Sequence, residues 1–274
     1  MRKLKENILK ALIYLSAIFT VTTLVVIVGY IFIKGIKGVT PKFLFSDYSP
    51  LDGGGILPMV ITTIYMVILS ILVATPIGIL SAIYLQEYAK KGKIVTIIRF
   101  ATESLAGIPS IIYGLFGGIF FVKVLDMQFS ILSGALTVAI IILPVIIRTT
   151  EEALKTVPGN YREASLALGA TKFQTLYKVI LPSAISGILS GIILSIGRVI
   201  GESAAILLTA GTVAQIPGTI FDSARTLTVQ AYLLTKEKGD ITTASSIGIV
   251  LIVIVLLLNL LAKSVANKLN KANY

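Results

Sequence analysis

Long uncharged apolar runs alternate with short polar connections along this chain. Residues 11–33, 57–85, 104–122, 127–147 and 241–262 contain no Lys, Arg, Asp or Glu. Each is long enough to cross a hydrocarbon core of roughly 30 Å at about 1.5 Å per residue. A sixth run, 184–210, is interrupted only by Arg198 and Glu202. The pattern predicts an all-α membrane protein: six transmembrane helices in a single domain covering residues 1–274.

One polar stretch, residues 151–182, has internal order. Residues 161–171 read as two short helices around a glycine turn. Asn160 is placed to cap the first helix, with Glu163 completing a capping box. Gly169 suits the left-handed residue that ends it. Thr171 is placed to cap the second, with Gln174 as its reciprocal partner. A capped helical hairpin between spans is a device for docking another protein. Its expected contact residues are Tyr161, Ala164, Ser165 and Leu168, which recur at helical spacing.

Other connections are simpler. The loop 34–56 carries Pro41, Pro50 and Asp52-Gly53-Gly54-Gly55, an adaptable turn before the second span. The segment 211–240 reads as a re-entrant or interfacial element rather than a seventh span. Pro76, Pro109 and Pro144 fall inside spans, where each removes a backbone hydrogen bond and kinks its helix. Gly187, Ser190, Gly191 and Gly197 recur along the fifth span and allow close helix approach. That stripe marks the span as central in the bundle or in a dimer interface.

Composition agrees with the membrane reading: 55% of residues are hydrophobic and 14% charged, too apolar for a soluble domain of this length. The formal net charge of +11 does not imply nucleic acid, because the basic residues flank apolar spans instead of forming one patch. Anionic lipid headgroups are their expected partners. The first apolar run is too long for a signal-peptide core and is expected to be a retained helix. The chain has no Cys and no His, which removes disulfides, most zinc sites and His-based acid–base chemistry. No cofactor is expected.

The basic residues also orient the chain. With the N-terminus inside, 16 of the 24 Lys and Arg residues fall on cytoplasmic segments, 7 fall outside, and Arg198 lies within a span. Both termini and the 151–182 loop are then cytoplasmic.

Charges inside apolar runs are costly, by roughly 2.5–3.5 kcal/mol each on insertion scales, and so point to function. Arg198 and Glu202 are four apart and are expected to share a helix face and pair. Arg148 and Glu151 repeat the theme at the cytoplasmic end of the fourth span. These four residues form the candidate substrate pathway. A guanidinium presents a planar fork of donors to two oxyanion oxygens at once. A neighbouring carboxylate offsets part of that charge, so an anion is held transiently, as a conduit requires. A structural ion pair for Arg198 and Glu202, and interfacial snorkelling for Arg148, are the alternative uses.

Two segments carry a family resemblance. Glu163-Ala164, Gly169 and Leu181-Pro182 resemble the cytoplasmic EAA loop of ABC-importer permeases, with Ser165 in place of the second Ala and Val179 in place of an Ile. In that family the loop grips the ATPase subunit, which implies docking roles for Tyr161, Glu163, Ala164, Ser165, Leu168 and Gly169. The segment 195–210, containing Gly197-Arg198 and Gly201-Glu202-Ser203, is similar to a signature of permeases from the phosphate (Pst) ABC importer. Residues 52–56, 82–88 and 225–229 look like the PstA member of its permease pair. The resemblance implies a type I ABC-importer permease in a bacterial or archaeal plasma membrane, transporting inorganic phosphate. It implies a PstC-like permease, PstB-like ATPase subunits and an extracytoplasmic phosphate-binding protein as partners. The chain lacks a Gly-x-x-x-x-Gly-Lys-Ser/Thr loop, so ATP is expected on the partner and no catalytic residue here. A permease for molybdate or sulfate, or a stand-alone secondary carrier, are the competing readings.

The charge distribution makes a direct prediction. Single cysteine labels at residues 45 and 236 should react from outside intact cells. Labels at 160 and 270 should react only from the cytoplasmic side. Outside access to residue 160 would overturn both the orientation and the docking role.

Overall fold

The computed structural model describes residues 2–49, 54–90 and 92–271; Pro50, Asp52 and Gly53 of the expected glycine turn lie outside the described residues. All regular structure among them is helical. The order is α1 (Arg2–Gly35), α2 (Pro41–Phe45), α3 (Leu57–Ile83), α4 (Lys93–Ala106), α5 (Ser110–Gly117), α6 (Ile131–Thr156), α7 (Gly159–Ala167), α8 (Lys172–Thr175), α9 (Leu181–Gly201), α10 (Ala204–Leu207), α11 (Leu227–Glu237) and α12 (Ile241–Lys271). Wider π-helical turns extend three of them: Tyr84–Tyr88 after α3, Gly118–Val124 after α5 and Leu176–Ile180 before α9. The last precedes Pro182, whose missing N–H breaks the regular ladder there.

Five helical stretches are long and apolar enough to cross a membrane, and a bent pair, Lys93–Ala106 with Ser110–Val124, makes a sixth candidate. That pair corrects the expected continuous span at 104–122. The two halves meet at 99°. Pro109 is not inside a helix; it precedes α5, and its ring forces Ile108 away from helical geometry. Tyr113 Oη donates to the Leu105 carbonyl at 2.7 Å and closes the corner. The fifth span also shifts: its helix runs Lys172–Gly201, starting earlier and ending earlier than 184–210. Pro76 and Pro144 do lie within α3 and α6.

The core is α6 packed against α3 and α9. Met66, Val67 and Ala74 of α3 meet Ile131, Ala135, Val138, Ile142 and Ile146 of α6, joined by Val199 and Ile200 of α9. The helices approach closely because the contacts are small. A side chain at Gly78 would run into Ile146 at 2.6 Å. Ser70 Oγ donates to the Ala135 carbonyl across the α3–α6 interface at 3.2 Å. Other buried hydroxyls fold back on their own helices, as Thr62 and Thr137 do to the carbonyls four residues earlier. In an apolar solvent, each polar group needs such an internal partner.

The segment between α10 and α11 serves the same rule. The first N–H groups of α6 have no helical acceptor. Ser130, Ile131 and Leu132 donate instead to the carbonyls of Thr209, Asp222 and Ile220. Asp222 in turn accepts from the N–H groups of Gly218 and Thr219 at 2.8 Å, and these bonds hold its carboxyl below the usual range. Residues 208–226 thus fold over the N-terminal end of α6 before α11 begins. By contrast α1 leaves most of its apolar side chains exposed and packs on α12 near its C-terminal end, where Ser246 Oγ donates to the Gly35 carbonyl. Exposed apolar surface of that kind belongs against lipid or another apolar helix.

The small residues of α9 divide into two sets, which corrects the single packing stripe. Gly187 and Gly191 face α6, against Ala153 and Thr149 respectively, whereas Gly197 meets nothing within 4 Å in this chain. Gly191→Leu should therefore destabilise the chain by about 1–3 kcal/mol through overpacking. Thermal melting in detergent should show a lowered midpoint for Gly191→Leu and an unchanged one for Gly197→Leu. Equal midpoints would contradict the α6–α9 contact.

Candidate functional site

Helix α9 ends one residue short of pairing its two charges. Glu202 leaves the helix with an extended backbone (ψ 129). Its carboxylate Oε1 accepts from the Ala205 N–H at 3.1 Å, and its carbonyl accepts from Thr228 Oγ1 at 2.8 Å. Glu202 is buried and fixes the turn into α10. The expected Arg198–Glu202 ion pair is not formed, because the four-residue rule holds only while both residues stay helical. Arg198 is exposed, and among the described residues it makes no hydrogen bond or ion pair. Its charge interacts with Tyr113, the residue that closes the α4–α5 corner. A fork of unpaired donors there is chemically suited to an anion.

The Arg148–Glu151 pairing is likewise replaced. Arg148 Nε donates to Glu152 at 3.1 Å, one helical turn on, and both side chains are exposed. Glu151 is buried and accepts from Arg99 of α4 through Nε at 3.2 Å and a terminal nitrogen at 3.1 Å. These residues line a groove of about 330 Å³ together with Thr102, Glu103, Pro144 and Lys155. On α6 the spacings of three and four are equally near. The partner of Glu151 was decided by α4, which the bend folds back onto the end of α6. Arg99 was missed from the sequence. Its signal was the spacing Val95, Arg99, Thr102, which places it on the inward face of α4.

The hairpin expected to dock another protein is α7, a glycine turn and α8. Its first cap differs from expectation: α7 begins at Gly159 behind Pro158, without a side-chain cap, so Asn160 lies inside the helix and forms no capping box with Glu163. Gly169 has φ +83, the left-handed value. Thr171 and Gln174 form the reciprocal box, at 3.2 and 2.8 Å. Tyr161, Glu163, Ala164 and Leu168 are exposed, Leu168 to 89%. Ser165 instead turns inward and shares a hydrogen bond with Thr175 at 2.9 Å, which ties α7 to α8. Phe173 and Tyr177 stack on one another at the surface and extend the apolar face. An exposed leucine on a short, rigid hairpin is an anchor for a complementary pocket.

Comparisons with known proteins bear on the family of the chain. The family described as a binding-protein-dependent transport system inner membrane component matches residues 74–272. The chain is 34% identical over 280 residues to a probable ABC transporter permease protein YqgI of Bacillus subtilis, covering 96% of this chain and 95% of that one. It is 38% identical over 211 residues to the phosphate transport system permease protein PstA of Pasteurella multocida, covering 76% of this chain and 75% of the relative. The PstA of Mycobacterium leprae is 32% identical over 269 residues, with 94% and 88% covered. Among solved structures, a chain of a bacterial alginate ABC transporter in complex with an alginate pentasaccharide-bound periplasmic protein superposes with a TM-score of 0.72 at 16% identity, over 97% of this chain and 96% of that one. A chain of the inward-facing MetNI methionine ABC transporter gives 0.63 at 20% identity, over 76% and 93%. The helical bundle, the EAA-type hairpin and these matches together place the chain in the family of inner membrane components of binding-protein-dependent transport systems, as an ABC permease of the PstA type.

Proposed function

We propose that this chain is one of two permease subunits of an ATP-driven phosphate importer. The observation that carries the substrate assignment is Arg198: a permanently charged fork, without a hydrogen-bond or ion-pair partner among the described residues, in the segment that resembles the Pst signature. Relatives named for phosphate transport support the same substrate over molybdate or sulfate. A stand-alone carrier has no use for the exposed hairpin.

In this reading phosphate passes Arg198 and is held by its two-pronged geometry. The anion has no fixed partner to displace, because Glu202 is engaged in the α9–α10 turn. Glu202 acts as a positioning group: it sets where α9 stops and so where Arg198 sits. Arg148 and Glu151 belong to the cytoplasmic groove, where they shape the exit rather than bind as a pair. A companion permease of the PstC type faces this one across the pathway. ATPase subunits of the PstB type receive the hairpin through Tyr161, Ala164 and Leu168. An extracytoplasmic phosphate-binding protein delivers substrate to the outer side, and both termini are cytoplasmic.

Two predictions follow from the two sites. Nothing lies within 4 Å of a side chain at Gly169, so Gly169→Val acts through backbone conformation alone. The left-handed position should cost about 1–2 kcal/mol and weaken the docking conformation by roughly tenfold. Affinity copurification should recover less ATPase subunit with normal permease levels in the membrane; unchanged recovery would remove the docking role. Arg198→Gln should lower uptake of labelled phosphate by roughly tenfold or more while the complex assembles, and Arg198→Lys should recover little of it. Full uptake by Arg198→Gln would end the substrate-contact reading.

A further inference from the structure

Arg162 sits on the docking helix α7 but does not face outward. One terminal nitrogen donates to Glu87 Oε1 at 2.7 Å and to the Leu154 carbonyl at 3.0 Å. Its Nε reaches Glu87 Oε2 at 3.4 Å, and the other terminal nitrogen donates to the Val157 carbonyl at 3.0 Å. One guanidinium therefore joins three elements: α7, the carbonyl end of α6 and the π-helical turn that ends α3. Both partners are largely sheltered, with side-chain exposures of 25% and 15%. A forked, sheltered pair of this kind is both directional and strong.

The Tyr84–Tyr88 turn is held from a second side. Arg99 of α4, bound to Glu151, also contacts the Leu85 carbonyl at 3.5 Å. The inner end of α3 thus has two arginine tethers. One leads to the docking hairpin and the other to the helix at the α4–α5 corner beside Tyr113. The peptide chain alone links α7 to α6 and, through α8, to α9; it offers no short route from the hairpin to α3.

We infer that the Arg162–Glu87 pair is the mechanical link that carries movement of the docking hairpin into α3. The inference rests on the ATPase-docking role proposed above. Within it, Arg162 and Glu87 are positioning residues that touch neither substrate nor nucleotide. When an ATPase subunit displaces α7, the rigid fork drags the inner end of α3 along. Without the pair, α7 reaches the inner end of α3 only indirectly, through the apolar cluster of Ile83 with Leu154, Leu176 and Ile180, and less of its movement is passed on. Coupling of this kind is a free energy between two sites, and its loss typically changes the response by roughly 5–150-fold.

The experiment uses the assembled transporter in liposomes. The chain has no native cysteine, so single spin labels can be placed without background. One label replaces exposed Tyr84 beside the end of α3 and another, in a separate sample, replaces exposed Asn160 on α7. In the wild-type background, adding ATP should change the spectra of both labels. In Glu87→Gln the Asn160 position should still respond, while the response at Tyr84 should fall about tenfold, with uptake per ATP hydrolysed falling alongside. Glu87→Asp keeps a carboxylate for the fork and should retain most of both signals. A Tyr84 response that survives Glu87→Gln at wild-type size overturns the link. So does a Glu87→Gln complex that loses transport and ATP hydrolysis in equal proportion, since that marks the pair as part of the fold only. The spectral readout needs ATP but no transported solute. Failure of phosphate uptake with intact label responses would therefore count against the phosphate reading and leave the link standing.

Discussion

Everything in this chain is arranged around the close contact of α6 with α3 and α9. Lipid supplies no hydrophobic drive between helices, so their association depends on near approach and on internal hydrogen bonds. Gly78, Gly187 and Gly191 permit the approach, and Ser70 bonds across it. The segment between α10 and α11 then becomes necessary rather than ornamental. It supplies carbonyls to the first turn of α6, which would otherwise present unpaired N–H groups at the membrane's edge. Once α6 is fixed at both ends, α9 is seated and the position where it stops determines where Arg198 points.

The charged residues sort by the same logic. Carboxylates that are buried have work within the fold: Glu151 accepts a fork from Arg99, and Glu202 caps the turn into α10. Glu87 accepts a second fork from Arg162. Arg198, the one arginine inside an apolar run, makes no hydrogen bond or ion pair among the described residues. A charge in an apolar run carries a desolvation cost that no partner among the described residues offsets. Under the function proposed above a transient anion would offset it, so the same residue stands out on energetic and on functional grounds.

The hairpin joins these themes. It is stiffened by the Thr171–Gln174 box and the Ser165–Thr175 bond, and it is tied to the turn after α3 and to the end of α6 by one arginine. Rigidity in the hairpin matters because a soft element would absorb displacement instead of passing it on. The exposed Leu168 and the stacked Phe173 and Tyr177 lie on the outer face of this stiff unit.

The hydrophobic pattern alone determined that the chain is a bundle of membrane helices, because a run of some 20 uncharged residues has no other stable home. It also marked the hairpin's glycine, whose positive φ follows from the local turn, and the Thr171–Gln174 box, which involves neighbours only. What it did not determine was any pairing between distant residues. Arg198 and Glu202 were read as partners from spacing, yet the helix stops between them. Glu151 was given to Arg148, yet Arg99 arrives from a helix 52 residues earlier in the chain. The bend at Gly107–Pro109 was hidden in an uncharged run because composition measures solvent preference, not direction. Local rules act within a turn or two of helix. Which helix lies beside which, and therefore which charge meets which, is set only when the whole bundle packs.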